Sequence, residues 1–106
     1  MRLTLFFCLA VMLLAPADAA RAGSGNVAAG EKLARQWCAA CHVVAEAQDR
    51  AATIGVPSFF DIAANPDMSE AKIATFLADP HPRMPDMGLS NLEIRDLAAY
   101  IGSLRR

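Results

Sequence analysis

The sequence is poor in lysine, histidine and cysteine, and it contains no run of like charges. Its 106 residues include only two lysines, Lys32 and Lys72, and the formal net charge is −1 with the histidines neutral. A nucleic-acid-binding domain needs a basic stripe or patch, so this composition argues against that class of protein. A chain of this length accommodates one domain and leaves no room for two.

The sequence also lacks strand-like alternation and internal repeats, and helical periodicity recurs instead. Apolar residues at spacings of three and four predict a first helix that begins at Val27 and continues into Cys38. A short second helix is predicted at residues 61–64, ended by Asn65 and Pro66. The inner face of the first helix is predicted to comprise Val27, Gly30, Leu33, Ala34 and Trp37.

Two further helices are predicted to begin at serine caps. Ser69 precedes an apolar face formed by Ile73, Phe76 and Leu77. Ser90 and Glu93 form a capping-box pattern before the last helix. Between these helices, residues 80–85 contain three prolines, which predicts a stiff extended loop. The expected fold class is all-α with long loops; the last helix carries Ile94, Leu97, Ala98, Tyr100 and Ile101.

The first nineteen residues differ from the rest of the chain. Arg2 is followed by an almost purely apolar run, Pro16 and a stretch of small residues ending at Ala19. This order is typical of a secretory signal peptide, and the run is short for a membrane span, which needs about 20 apolar residues. We expect cleavage after Ala19, giving a signal peptide at 1–19 and a domain at 20–106; Ala17 and Ala22 are other possible ends, and an uncleaved signal anchor is the alternative. Cys8 would leave with the signal peptide, and the mature protein is expected in the periplasm.

The segment Cys38-Ala39-Ala40-Cys41-His42 matches the C-x-x-C-H haem attachment motif. Two thiols at this spacing can form thioethers with the two vinyl groups of one porphyrin. The histidine that follows directly is then placed to ligate the iron. The motif predicts one covalently attached haem c.

Two other kinds of site could use these cysteines. A thioredoxin-like dithiol expects a neighbouring βαβ pattern, which this sequence lacks. A zinc site could use Cys38, Cys41, His42 and His81, but structural zinc ligands usually come as two spaced pairs. Both interpretations are therefore less favoured than haem attachment.

The domain resembles the class I cytochrome c family in its short bacterial form. The resemblance rests on a helix leading into C-x-x-C-H, on the segment His81-Pro82-Arg83-Met84-Pro85 before the last helix, and on Tyr100 near the end of that helix. It implies a cytochrome c fold, in which the N- and C-terminal helices cross beside a covalently bound haem.

The resemblance also implies roles for individual residues. Met84 would be the second axial ligand, opposite His42. The carbonyl of Pro57 would accept the ring N–H of His42 and leave the other ring nitrogen for the iron. Gly30 and Tyr100 would lie where the first and last helices cross.

Several assignments remain open from the sequence alone. Met87 and His81 compete with Met84 as the second ligand. Trp37 is interpreted as a packing residue rather than as an electron relay. The aromatic residues Phe59, Phe60 and Phe76 are interpreted as walls of the haem pocket.

The function implied is electron carriage without substrate chemistry. We expect a soluble, monomeric one-electron carrier that exchanges electrons with redox proteins, such as a dehydrogenase or a terminal oxidase, and that makes at most peripheral contact with a membrane. One alternative is a haem subunit of a larger oxidoreductase. Another is a haem sensor or peroxidase with an open iron site, if Met84 is not a ligand.

Overall fold

The computed structural model describes residues 25–48, 53–80 and 82–106. Within these ranges it contains helices and no strand, which confirms the all-α prediction. The predicted signal peptide at 1–19 lies outside the described residues. The helices are α1 (Val27–Leu33), continued by a π-helical turn (Ala34–Cys38), α2 (Phe59–Ala64), α3 (Glu70–Ala78) and α4 (Asn91–Ser103).

Serine caps define where three of these helices begin. The hydroxyl oxygen of Ser69 accepts the backbone N–H of Lys72 at 3.2 Å, and Ser90 forms the predicted capping box with Glu93. The helix α2 begins at Phe59, two residues before the predicted start. The reason is a second capping box, in which Ser58 accepts the N–H of Asp61 at 3.0 Å and Asp61 accepts that of Ser58 at 3.2 Å.

The first and last helices cross at Gly30. A Cβ atom at Gly30 would overlap the carbonyl of Asp96 and would lie 2.7 Å from Cβ of Tyr100. Beside this crossing, the Asp96 carboxylate accepts the backbone N–H of Asn26 at 2.7 Å. The crossing therefore depends on a residue without a side chain, as the resemblance implied for Gly30 and Tyr100.

The core lies between α4 and the other elements. Leu97 is completely buried, and Tyr100 and Ile101 are almost so. Ile73 of α3 belongs to the same cluster, whose other members include Ala34, Val44, Phe59 and Ala63. The helix α4 thus brings the two ends of the domain into one core.

The inner face of the first helix differs from the prediction. Gly30, Ala34 and Cys38 are buried at steps of four residues, whereas Val27 is 43% and Trp37 is 48% exposed. The π-helical turn at Ala34–Cys38 is wider than a turn of α-helix. It is closed by a hydrogen bond of 3.1 Å from the Ala39 N–H to the Ala34 carbonyl, which has the five-residue spacing of a π-helix. This wider turn brings Cys38 to the inner face instead of Trp37, so the predicted position of Trp37 on the inner face is wrong.

Candidate functional site

Cys38 and Cys41 lie at the end of the first helix, where the chain turns back on itself. The backbone N–H groups of Cys41 and His42 both donate to the carbonyl of Cys38, at 3.1 and 2.9 Å. Both thiols are free; Cys38 is buried and Cys41 is exposed. We name residues 38–44 the attachment loop. Its tight turn holds both thiols and the following imidazole in one short segment.

The surroundings of Cys38 favour the neutral form of its thiol. Burial, and to a smaller extent the neighbouring Cys41, raises the pKa of Cys38 to about 11. A bound zinc ion would itself deprotonate a coordinating thiol, so this pKa does not decide between zinc and haem. Within the three described ranges, however, no group of three or more His, Cys, Asp or Glu side chains is placed to hold a metal ion. His81, the fourth ligand of that alternative, lies outside the described residues.

The imidazole of His42 is oriented by a backbone carbonyl and an aromatic ring. Its Nδ1 lies 2.7 Å from the carbonyl oxygen of Pro57, and its ring centroid is 5.4 Å from that of Phe59 at an interplanar angle of 50°. A carbonyl can only accept, so Nδ1 carries the proton and donates it to Pro57. The other ring nitrogen, Nε2, then has its lone pair available for a metal.

The backbone that follows His42 is held by two residues from distant parts of the chain. The carbonyl of Val43 accepts the N–H of Phe59 at 2.9 Å. The carbonyl of Val44 accepts the hydroxyl proton of Tyr100 at 2.6 Å, in a buried hydrogen bond. The attachment loop is therefore fixed to both α2 and α4.

Gln48 contacts the attachment loop as well, and sequence reasoning missed it. Its side chain hydrogen-bonds to backbone groups of Ala39, His42 and Val44. In the sequence it is one of several polar residues in a segment of weak periodicity. The short distance in sequence between Gln48 and the motif was the only available signal.

Met84 lies in the irregular segment between α3 and α4. It is half-buried, and so is Met87, so burial does not distinguish the two candidate ligands. His81, the third candidate, lies outside the described residues. The assignment of Met84 as the second axial ligand stays a prediction.

The three aromatic residues predicted to line the pocket differ in exposure. Phe59 is buried, with its ring centroid 6.5 Å from that of Tyr100, and Phe60 is half-buried. Phe76 is 40% exposed, while Ile73 on the same helix is 3% exposed. The helix α3 thus packs mainly through Ile73, and Phe59 is the aromatic residue next to His42.

The donor set of the attachment loop suits a covalently held haem. Two free thiols and an imidazole with an available Nε2 are provided within five residues, by Cys38, Cys41 and His42. Thioether attachment requires reduced cysteines, and axial ligation requires a neutral imidazole nitrogen. The residues present therefore fit this group.

Comparison with known proteins gives similarity over most of the chain. Residues 25–101 match the family described as "Cytochrome C oxidase, cbb3-type, subunit III". Cytochrome c-552 of Bradyrhizobium diazoefficiens is 47% identical over 95 residues, which cover 90% of this chain and 90% of that protein. No solved structure matches the chain.

Proposed function

This chain belongs to the class I c-type cytochromes, which are electron carriers that contain haem c, and we propose that it holds a single haem through Cys38 and Cys41, with His42 and Met84 as axial ligands. The matched family and the 47% identical relative support the coarse assignment. The fit of the donor set supports the roles of Cys38, Cys41 and His42, and the role of Met84 is supported by the family resemblance.

Each of these residues would have a distinct part in electron transfer. The haem supplies an iron that changes between the ferrous and ferric states. Cys38 and Cys41 would keep it bound, and His42 would be held by Pro57 in the tautomer that presents Nε2. Met84 would fill the second axial position and prevent small molecules from binding there. Histidine and methionine together favour a raised reduction potential among cytochromes.

The hydrogen bond between His42 and Pro57 is the observation that carries this proposal. It joins residues 15 apart in sequence at 2.7 Å. A surface histidine has no need of such a partner, whereas a ligating histidine commonly donates its other ring N–H to a carbonyl. The bond therefore supports His42 as an axial ligand.

The location and partners are also proposals. Residues 1–19 have the order of a signal peptide, which supports export to the periplasm. No helix of the described segments is long and apolar enough to cross a bilayer. The matched family is named after a terminal oxidase, which supports an oxidase as the electron acceptor. A dehydrogenase would be the matching donor.

A second function is favoured by the same family description, which names a subunit of an oxidase. The protein would then work as a haem subunit docked on a larger oxidoreductase. Size-exclusion chromatography of the protein from its native membrane and soluble fractions separates the two. Elution as a small monomer supports a free carrier, and co-elution with an oxidase supports a subunit.

The absorption spectrum of the purified protein tests the ligand assignment. We expect haem that stays with the chain after denaturation, and a far-red band of methionine–iron bonding in the oxidised state. Rapid binding of carbon monoxide to the reduced protein, with no such band, would contradict the assignment. It would favour the sensor or peroxidase alternative instead.

A further inference from the structure

We propose that Gln48 is a positioning residue that fixes the backbone on both sides of Cys41 and thereby the orientation of the His42 ring. The inference rests on the proposed haem site. It adds a residue that the C-x-x-C-H motif does not contain.

The side-chain amide of Gln48 makes three hydrogen bonds to the attachment loop. Its Oε1 accepts the backbone N–H of Val44 at 2.8 Å. Its Nε2 donates to the carbonyls of Ala39 and His42, at 3.0 and 2.9 Å. Because an N–H can only donate and a carbonyl can only accept, these partners also fix which end of the amide is oxygen.

The three partners lie at places that matter for haem binding. Ala39 stands between the two attachment cysteines, and His42 is the proposed ligand. The carbonyls of Ala39 and His42 both accept from Nε2 of Gln48. Gln48 therefore holds the backbone between Cys38 and His42 in its tight turn. A residue without N–H donors at position 48 would leave both carbonyls without this partner.

Two supports together determine how the His42 ring is oriented. The Pro57 carbonyl holds the ring at Nδ1, and Gln48 holds the backbone carbonyl of the same residue. With only the first support, the ring can still rotate about its hydrogen bond to Pro57. With both, the ring is held at Nδ1 and the backbone that carries it is held at the His42 carbonyl. Hydrogen bonding around an axial ligand is one of the means by which a protein adjusts a haem.

The test compares Gln48→Met with Gln36→Met in the haem-loaded protein. Methionine has nearly the length and volume of glutamine but donates no hydrogen bond. Gln36 is an exposed residue of the π-helical turn, so it provides a matched control. Three measurements are made: amide hydrogen exchange at Val44, the NMR shifts of the haem methyl groups in the oxidised state, and the reduction potential.

For Gln48→Met we expect exchange at Val44 to accelerate at least tenfold, with altered haem methyl shifts and a lower reduction potential. The potential falls because water gains access to the loop beside the haem, which favours the more highly charged ferric state. Gln36→Met should change none of the three. Gln48→Glu keeps the chain length and the acceptor for Val44, and it should alter the methyl shifts while leaving exchange at Val44 slow.

Unchanged methyl shifts and potential in Gln48→Met, with only a lower melting temperature, would overturn the proposal. Gln48 would then be a structural residue of the loop. Failure of the proposed function is seen separately, in the wild-type protein, as absent covalent haem or an absent methionine–iron band. If Gln48→Met does not fold, amide exchange at Val44 and the haem methyl shifts are measured in Gln48→Glu instead. Wild-type methyl shifts in that variant would overturn the proposal.

Discussion

At the scale of single residues, Met84 and Met87 carry the same thioether, so side-chain chemistry does not show which of them ligates the iron. Both are half-buried in the segment before α4. We expect Met84→Ala to keep the haem attached but to open the second axial position, because the thioethers at Cys38 and Cys41 do not involve that sulfur. The methionine–iron band should disappear and carbon monoxide should bind readily.

Met87→Ala is the matched control for this prediction. It removes the same side chain three residues away and should leave the band and the carbon monoxide reactivity unchanged. If Met87→Ala removes the band while Met84→Ala keeps it, the ligand assignment is reversed.

Tyr100 leads to a prediction about pH. Burial raises the pKa of its phenol above the ordinary value of 10.0, with a further increase from Glu31 and a partial decrease from Arg35. A raised pKa means that folding favours the neutral phenol. This contribution to stability is complete below the ordinary pKa and is lost as pH rises through the raised pKa of the folded state. Ionisation also removes the proton that Tyr100 donates to Val44.

The measurement is the free energy of unfolding of the wild type and of Tyr100→Phe across neutral and alkaline pH. At neutral pH the variant should be less stable by about 1–3 kcal/mol, because the Val44 carbonyl loses its buried partner. The difference in unfolding free energy between the wild type and Tyr100→Phe should become smaller above pH 10. A difference that stays constant with pH would show that the Tyr100 hydroxyl does not titrate in this range.

The site could be predicted from the sequence only where the relevant residues are adjacent. Cys38, Cys41 and His42 form one motif, and the structure places them in one tight turn. The contact of Pro57 with His42 was implied by family resemblance and not by the residues themselves. Gln48 was missed because its three hydrogen bonds are to backbone groups. Every residue has a backbone, so the sequence does not show which backbone groups a side chain will contact.

At the scale of helices, capping patterns predicted the first residues of helices better than hydrophobic periodicity predicted which helix face is buried. Ser69 and Ser90 begin their helices as expected. The face of the first helix was predicted from regular α-helical spacing, and the π-helical turn at Ala34–Cys38 breaks that spacing. A single widened turn rotates Trp37 to the surface, and no residue type in the sequence identifies such a turn.

The crossing of α1 with α4 is sensitive to one methyl group. We expect Gly30→Ala to destabilise the protein by about 1–3 kcal/mol, the usual cost of overpacking. The added Cβ would overlap the backbone carbonyl of Asp96, so the helices must move apart. Denaturant unfolding of the haem-loaded variant measures the loss.

Gly102→Ala provides a matched control within α4. The three atoms nearest to its Cβ would all belong to the side chain of Glu70, which can move, and alanine has the higher helix propensity. This variant should be as stable as the wild type. Equal stability of Gly30→Ala and the wild type would mean that the helices do not cross as closely as described.

At the scale of the whole molecule, the charge pattern is unlike that of carriers with a basic ring around the haem edge. Lys32 and Lys72 are the only lysines; both are exposed, one on α1 and one on α3. The formal net charge of −1 becomes more negative with two haem propionates. A long-range basic field that would steer an acidic partner is therefore not available.

We expect docking to depend only weakly on salt for this reason. Encounter would rely on a small apolar patch beside the haem edge, for which Val43, Pro82 and Pro85 are candidates; the two prolines are exposed and Val43 is half-buried. Transient redox contacts of this kind bury less than about 1,200 Å² in total. The measurement is the bimolecular electron-transfer rate with the native partner at several salt concentrations. We expect less than a tenfold change between low and physiological salt, whereas a larger fall would show that steering by opposite charges dominates the encounter.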